Sequence, residues 1–513
     1  MLAFVAIFTI FLGVLSLWIL KRIKHFRLRD ELGLRGPPVS YLHGNLGDIL
    51  AYVKKNGVSR SPWFRIEMAK KYGETMGMYF GTLFEISSTN LDFAREVMIT
   101  QFHNFTDREA PTIHNAYPME NGLLQITGKT NKGFGWKDVR SIVSPVFTSG
   151  KMKKMHQTIL ERVDAFVDEL DRKTRNGKTH MDIYDEWQAL TLDTIARVAF
   201  GVNCNSIQDR NDVFYTNCQA FFQLLGLDKS WITVPLSFMF PAIGPYLRPL
   251  SDLAQVERPL VQKLKEAIAK RKKMIGTAEA EERPDLIQLL LEQDLERQNT
   301  ENKPPLGDDV VLSNCHSFLL AGYETTSTAL AYCTWLLAKH GDVQERLYDE
   351  IIETFSNDQP IDYEKAMKSE YLDCVYRETL RLYPPVVHFT ARQCVNDTIV
   401  TGIRIPKGAY VSVPVQCVHW KEEYWPNAMQ FDPDRFFSPE AKKSLAWMPF
   451  GVGPRHCVGI RFAEMEFKTA IIAAVRRFRF SIDEKEKGDL PIRINAVLMR
   501  PTDGVKLFVE KRQ

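Results

Sequence analysis

The stretch FGVGPRHCVG, residues 450–459, sets Cys457 in a glycine-rich loop with Arg455 two positions before it. No other part of the chain restricts the possible folds as much. The residues that follow, VGIRFAEMEFKTAIIAAVRRF, repeat apolar side chains at helical spacing and predict an amphipathic helix. The sulfur is therefore expected at a helix N-terminus, where unpaired N–H groups and the helix dipole lower a thiol's pKa. Gly451, Gly453 and Gly459 remove side chains where a flat body would approach the backbone. Arg455 offers a cation to an anionic group on that body. A single thiolate presented to a planar, dianionic metal cofactor is the specification for axial ligation of haem.

The other seven cysteines, Cys204, Cys218, Cys315, Cys333, Cys374, Cys394 and Cys417, form no C-x-x-C pair. Zinc-ribbon and thioredoxin-like folds are thereby excluded, and the scattered usage fits a reducing compartment. A net charge of +3 over 513 residues gives no electrostatic footprint for nucleic acid.

Residues 1–20, MLAFVAIFTIFLGVLSLWIL, carry no charged side chain and are long enough to cross a bilayer. The run KRIKHFRLR follows at once. No basic n-region or A-x-A-like site marks a cleaved signal peptide, and the positive-inside rule puts the rest of the chain in the cytosol. Residues 1–20 are read as a transmembrane signal anchor, 21–38 as a basic and proline-rich linker, and 39–513 as one catalytic domain. From about residue 60 to 380 the periodicity is helical, with strand-like runs near 84–90, 409–416 and the C-terminus. The fold expected is mainly α with small peripheral β-sheets. The segment 234–250 is apolar but interrupted by Pro235, Pro241 and Pro245, so it is either a buried loop or a shallow membrane contact.

A long helix is expected from about residue 307 to Gly341, roughly 50 Å in length. Its centre reads AGYETTST, with Glu324 and Thr325 in apolar surroundings. Gly322 and the threonines invite a local bulge, because a threonine hydroxyl bonds back to an earlier carbonyl. An acid and an alcohol lining the resulting groove can hold dioxygen and pass protons to it.

The full pattern F-x-x-G-x-R-x-C-x-G is present as Phe450, Gly453, Arg455, Cys457 and Gly459. With it the chain resembles the cytochrome P450 superfamily of haem-thiolate monooxygenases, and AGYETTST is similar to the animal clan that includes drug-metabolising enzymes and thromboxane synthase. The resemblance implies the family fold, with haem b between the long helix and the cysteine helix and Cys457 on the iron. It implies that Trp136 and Arg140 of GWKDVR reach a haem propionate, with Arg392 as a further propionate partner. It also implies that Glu378 and Arg381 of RETLRLYPP and Arg435 of FDPDRF brace the cysteine loop, and that Glu324 and Thr325 serve catalysis. The implied partners are a lipophilic substrate, a membrane-bound NADPH–cytochrome reductase and, as a second electron donor, cytochrome b5. Lys151, Lys153 and Lys154 would suit such an acidic partner, and the implied location is the endoplasmic reticulum membrane. Two other readings stay open: a peroxide isomerase or dehydratase of the same fold, and a haem-binding sensor without turnover. The substrate pocket is expected from residues 112–128, 215–240, 386–390 and 494–499, with Phe221, Phe222, Leu224 and Leu225 as apolar lining.

Overall fold

The computed structural model describes residues 2–108, 117–128, 134–175, 177–226, 232–275, 277, 285–301, 304–355, 359–388, 390–483 and 488–512. Most of them are helical, and the sheets are small and peripheral, as the periodicity predicts. The central helix, Asp308–Lys339, has 32 residues and so spans about 48 Å. It is buried along nearly its whole length, which is why its sequence is apolar all round and not striped. The helix Ile183–Phe200 lies along it and is buried on almost every face. The cysteine helix, Ile460–Arg477, packs on Ser149–Lys173 and on the central helix, with Gly459 as its N-cap.

In the largest sheet, Thr75–Phe80 pairs with Leu83–Ser88, which pairs in parallel with Tyr410–Ser412. That strand in turn carries Arg392–Gln393 on its other edge, so pairing between distant parts of the chain sets the position of Arg392. The expected strand over 409–416 is shorter than the sequence suggests. Pro414 ends it, and Val415–His419 turns into a helix.

The first helix, Leu2–Glu31, runs eleven residues past the apolar stretch, through much of the expected linker. The basic residues hold it against the domain. Arg22 donates to the carbonyls of Tyr41 at 2.6 Å and Met239 at 3.2 Å, and also to Leu42. Phe26 is buried against the Tyr79 ring, 4.8 Å between centroids, and Arg29 reaches the Pro37 carbonyl. Carbonyls left over at turns accept these cations, so the irregular connector shrinks to residues 32–38. Among the described residues no helix is long and apolar enough to cross a membrane. The side chains of residues 1–3, 6, 7 and 11, all in the apolar run, lie outside the described set.

The proline-rich segment folds as four short helical turns, Thr233–Met239, Pro241–Ile243, Gly244–Leu247 and Arg248–Leu250. It is not a buried loop: Ile243, Tyr246 and Leu250 are exposed, while Phe240 stacks on Trp18 of the first helix at 6.3 Å.

Candidate active site

The loop before the cysteine helix is built on two left-handed glycines, Gly451 (φ +68°) and Gly453 (φ +74°). At Gly453 a Cβ would also overlap the Met98 carbonyl, so no other residue fits there. The Cys457 N–H donates to the Phe450 carbonyl at 2.9 Å and the His456 N–H to the Gly453 carbonyl at 3.0 Å, closing the loop. Cys457 is the one cysteine of the eight whose surface is accessible. That surface opens onto an internal cavity, so the sulfur is both reachable and desolvated. Burial pushes the thiol pKa up; the Gly459 N–H, Arg140 and Arg108 pull the other way. The direction is opposite to that expected from the helix terminus alone, because desolvation acts on the whole thiolate while the helix end supplies one N–H. A bound metal ion is what would hold this sulfur deprotonated.

On one side of the cavity the guanidinium groups of Arg108, Arg140 and Arg455 line the wall beside Trp136. Arg455 lies 4.9 Å over the Trp136 ring and donates to the Ile126 carbonyl at 2.6 Å. Arg140 donates to the His456 carbonyl at 3.0 Å, and Arg108 to the Arg455 carbonyl at 3.1 Å. Arg392 is buried close enough to Arg108 and Arg455 to feel both charges. Burial, and then mutual repulsion, pushes Arg455 down to about 8 and Arg392 well below its ordinary value, with Asp107 opposing the fall at Arg455. Burial likewise takes Arg108 down to about 10. Arg455 and Arg392 are buried and Arg108 and Arg140 half-buried, and a cluster of cations with this little solvent suits an anion. The sequence motifs missed Arg108. It sits in FTDREA with no local signal, and only the tertiary fold brings it to the cluster.

The central helix also lines the cavity, presenting Ser317, Ala321, Gly322, Thr325 and Thr326. The Thr325 hydroxyl donates to the Ala321 carbonyl at 2.8 Å, which leaves its lone pairs to accept a hydrogen bond from the cavity. The helix is continuous here, so the expected bulge is absent. Gly322 is small because Ile195 packs against it, not because the ladder opens.

Glu324 is a correction: its carboxylate does not reach the cavity. It accepts from the Tyr184 hydroxyl at 2.6 Å and from Gln188 Nε2 at 3.0 Å, with Arg500 Nε at 3.5 Å. Consecutive residues on an α-helix are about 100° apart, so a threonine facing the cavity turns its neighbour toward Ile183–Phe200 and strand Leu498–Pro501.

The structure brings Glu378, Arg381 and Arg435 together. Glu378 and Arg381 are fully buried and paired at 2.7 and 2.9 Å, and Arg435 Nε donates to the same carboxylate at 3.0 Å. Arg381 also donates to the carbonyls of His419, Ala428 and Gln430. A second residue without a sequence signal, His419, extends the brace to the cysteine loop. Its Nδ1 lies 3.0 Å from the Arg381 carbonyl and its Nε2 3.0 Å from the Met448 N–H. The ring must be neutral to donate at one nitrogen and accept at the other. Burial accordingly pushes its pKa down to about 3.

Of the expected pocket segments, Leu123, Leu124, Val386 and Thr390 line the cavity, with Phe318, Leu380 and Pro385. Residues 112–116, 227–231 and 389 lie outside the described residues. The described parts of 215–240 and 494–499 do not line it. Phe221 and Phe222 pack against His316 and Tyr323 of the central helix.

A family model described as cytochrome P450 matches residues 37–508. Human cytochrome P450 3A5 is 31% identical over 490 residues, covering 94% of this chain and 92% of that protein. Mouse cytochrome P450 3A41 is 31% identical over 494 residues, with coverage of 94% and 92%. Pig cytochrome P450 3A29 is 32% identical over 461 residues, with coverage of 88% and 86%. The chain belongs to the cytochrome P450 family and is a monooxygenase that binds haem through a cysteine thiolate.

Proposed function

We propose that Cys457 is the iron ligand, and that the enzyme inserts one oxygen atom from O2 into a lipophilic organic substrate with electrons passed from NADPH by a membrane-bound cytochrome reductase. One observation carries the proposal: an accessible sulfur opens onto an apolar cavity that three arginines and Thr325 also line. The cavity fits a dianionic haem by the chemistry of its donors. Arg140, Arg455 and Trp136, together with Arg108 and Arg392, would hold the two propionates, since a guanidinium matches a carboxylate with paired N–H donors. The haem supplies the oxidising chemistry.

The protein's own residues then orient, exclude water and handle a proton. Phe318, Leu123, Leu124, Leu380 and Val386 keep the substrate side apolar. Thr325, with its proton engaged to Ala321, accepts a hydrogen bond from the cavity and so stabilises a protonated ligand there. Thr325→Ala should leave haem content and substrate-induced spectral shifts near wild type. Product formed per NADPH consumed, measured with reductase present, should fall by about tenfold. An unchanged ratio would remove Thr325 from proton handling.

The membrane placement is part of the same proposal: a single-pass N-terminal anchor in the endoplasmic reticulum, with the catalytic domain in the cytosol. Phe4, Ile10, Val14, Leu17 and Leu20 are exposed on the first helix, and Tyr246 and Leu250 are exposed on the neighbouring segment. Apolar surface of that extent marks a membrane contact. Deleting residues 2–20 should leave a fraction of the protein on membranes that high salt does not release, since an apolar contact is not screened. Complete solubility of that variant at low salt without detergent would show that 234–250 makes no such contact. The electron partner would dock on the face of the cysteine loop, where Lys153 and Lys154 are exposed and Arg461 of the cysteine helix touches Ser149.

A further inference from the structure

Arg248, Glu257 and His316 meet in the interior, on three different elements. Arg248 ends the proline-rich segment, Glu257 lies on helix Asp252–Met274, and His316 lies on the central helix one residue before the cavity wall. All three are buried, His316 completely. Glu257 Oε2 is paired with Arg248 Nη2. Its other oxygen, Oε1, has no hydrogen-bond partner, and neither do the two ring nitrogens of His316. His316 Nε2 and Glu257 Oε1 are 3.6 Å apart. Unsatisfied polar atoms this deep require an explanation.

Only certain protonation states suit this cluster. Burial, then the charge of Arg248, pushes His316 down to about 3, so near neutral pH the ring can only be uncharged and has one nitrogen free to accept. Burial pushes Glu257 up to about 7 even though Arg248 opposes the shift. Titratable groups on the central helix and on helix Val213–Leu224 are silent at neutral pH. Burial keeps the thiols of Cys315 and Cys218 and the Tyr323 hydroxyl in their neutral forms. Asp285, beyond Cys315, is paired with Arg271. An ionised Glu257 has Arg248 as its partner. A protonated one carries an O–H within a small rotation of His316 Nε2 and loses most of its hold on Arg248.

We infer that these residues form a buried proton switch, in which Glu257 exchanges Arg248 for His316 on protonation and so loosens the far end of the proline-rich segment. The near end has no such dependence. Thr82 donates through its N–H and hydroxyl to the Phe238 carbonyl at 2.9 and 3.0 Å, and Arg22 donates to the Met239 carbonyl. The segment is therefore held by carbonyls at one end, while at the other the titrating ion pair is one hold beside the hydrogen bonds from the Ser251 N–H and hydroxyl to the Arg248 carbonyl. The switch would change how the segment covers the domain as pH falls through neutrality.

The test reads the segment itself. Tyr246 is exposed two residues before Arg248, and the cysteines other than Cys457 are buried. Tyr246→Cys in the full haem-loaded chain can be labelled with a thiol-reactive fluorophore, using unsubstituted protein to correct for background labelling. Quenching by acrylamide should rise about twofold as pH falls, with one midpoint near the Glu257 value of about 7. Added Glu257→Gln should abolish the titration and hold the label in the low-pH state, because an amide carries no charge. Added His316→Leu removes the acceptor that stabilises the protonated form, so the midpoint should move down. A flat profile in Tyr246→Cys would overturn the switch, and so would titration that persists in Glu257→Gln. If Glu257→Gln fails to fold, His316→Leu decides alone: an unmoved midpoint there overturns the partner exchange.

Discussion

Cys457→Ala should lose the red-shifted Soret band of the reduced, CO-bound protein, whereas alanine at any of the other seven cysteines should keep it. The band reports a thiolate ligand on the haem iron. A thiolate needs a sulfur that is accessible to the iron and can be held without its proton. The other seven sulfurs are buried, and those of Cys218, Cys333 and Cys417 are pushed up by burial and do not line the cavity. Removing one of these costs a small buried side chain, about 1 kcal/mol or somewhat more. Removing the sulfur of Cys457 takes away the only cavity-facing thiol. A thiolate spectrum surviving in Cys457→Ala would overturn the assignment of the ligand and the reaction proposed with it.

Glu378→Ala should prevent stable haem incorporation and lower the thermal midpoint sharply. The substitution leaves Arg381 buried without its counter-charge and Arg435 without its main partner. Breaking a buried pair in this way costs about 3–5 kcal/mol, a large share of the 5–15 kcal/mol or so that holds a typical domain together. The loss also reaches the site, since Arg381 positions His419 and His419 positions Met448 ahead of the cysteine loop. Arg346→Ala provides the contrast. Its ion pair with Asp434 is about half exposed at both ends, so its loss should cost under about 1 kcal/mol. The measurements are the haem-to-protein ratio and the thermal midpoint of each purified variant. A Glu378→Ala protein that matches Arg346→Ala in both would show that the buried trio does not brace the loop.

The cysteine loop was legible because its constraints are local. Glycines, an arginine and a cysteine within a few residues of a helix start are visible without knowing what lies across the domain, whereas the positive φ of Gly451 and Gly453 and the Met98 carbonyl against Gly453 came only from the structure. The long central helix was legible for the same reason, since continuous apolar character over that length has few other outcomes. The orientation of Glu324 was not. Residues 324 and 325 are neighbours in sequence, but the helix turns between them, and which one faces the cavity depends on where the helix packs. Tyr184, Gln188 and Arg500 claim the glutamate from distant elements.

Sequence alone determined the helical architecture and the cysteine that faces the cavity, because each rests on periodicity or on a tight local motif; Glu378, Arg381 and Arg435 were singled out by the family resemblance, since Arg435 lies more than fifty residues from the other two. Tertiary structure decided the rest. It brought Arg108 to the cavity wall beside Arg140 and Arg455, set His419 ahead of the cysteine loop, docked residues 21–31 on the domain and buried Glu257 against His316. Each of these depends on a contact between residues far apart in the chain. Desolvation likewise decided the direction of the Cys457 shift, since burial depends on the packing of the whole domain and no local pattern encodes it.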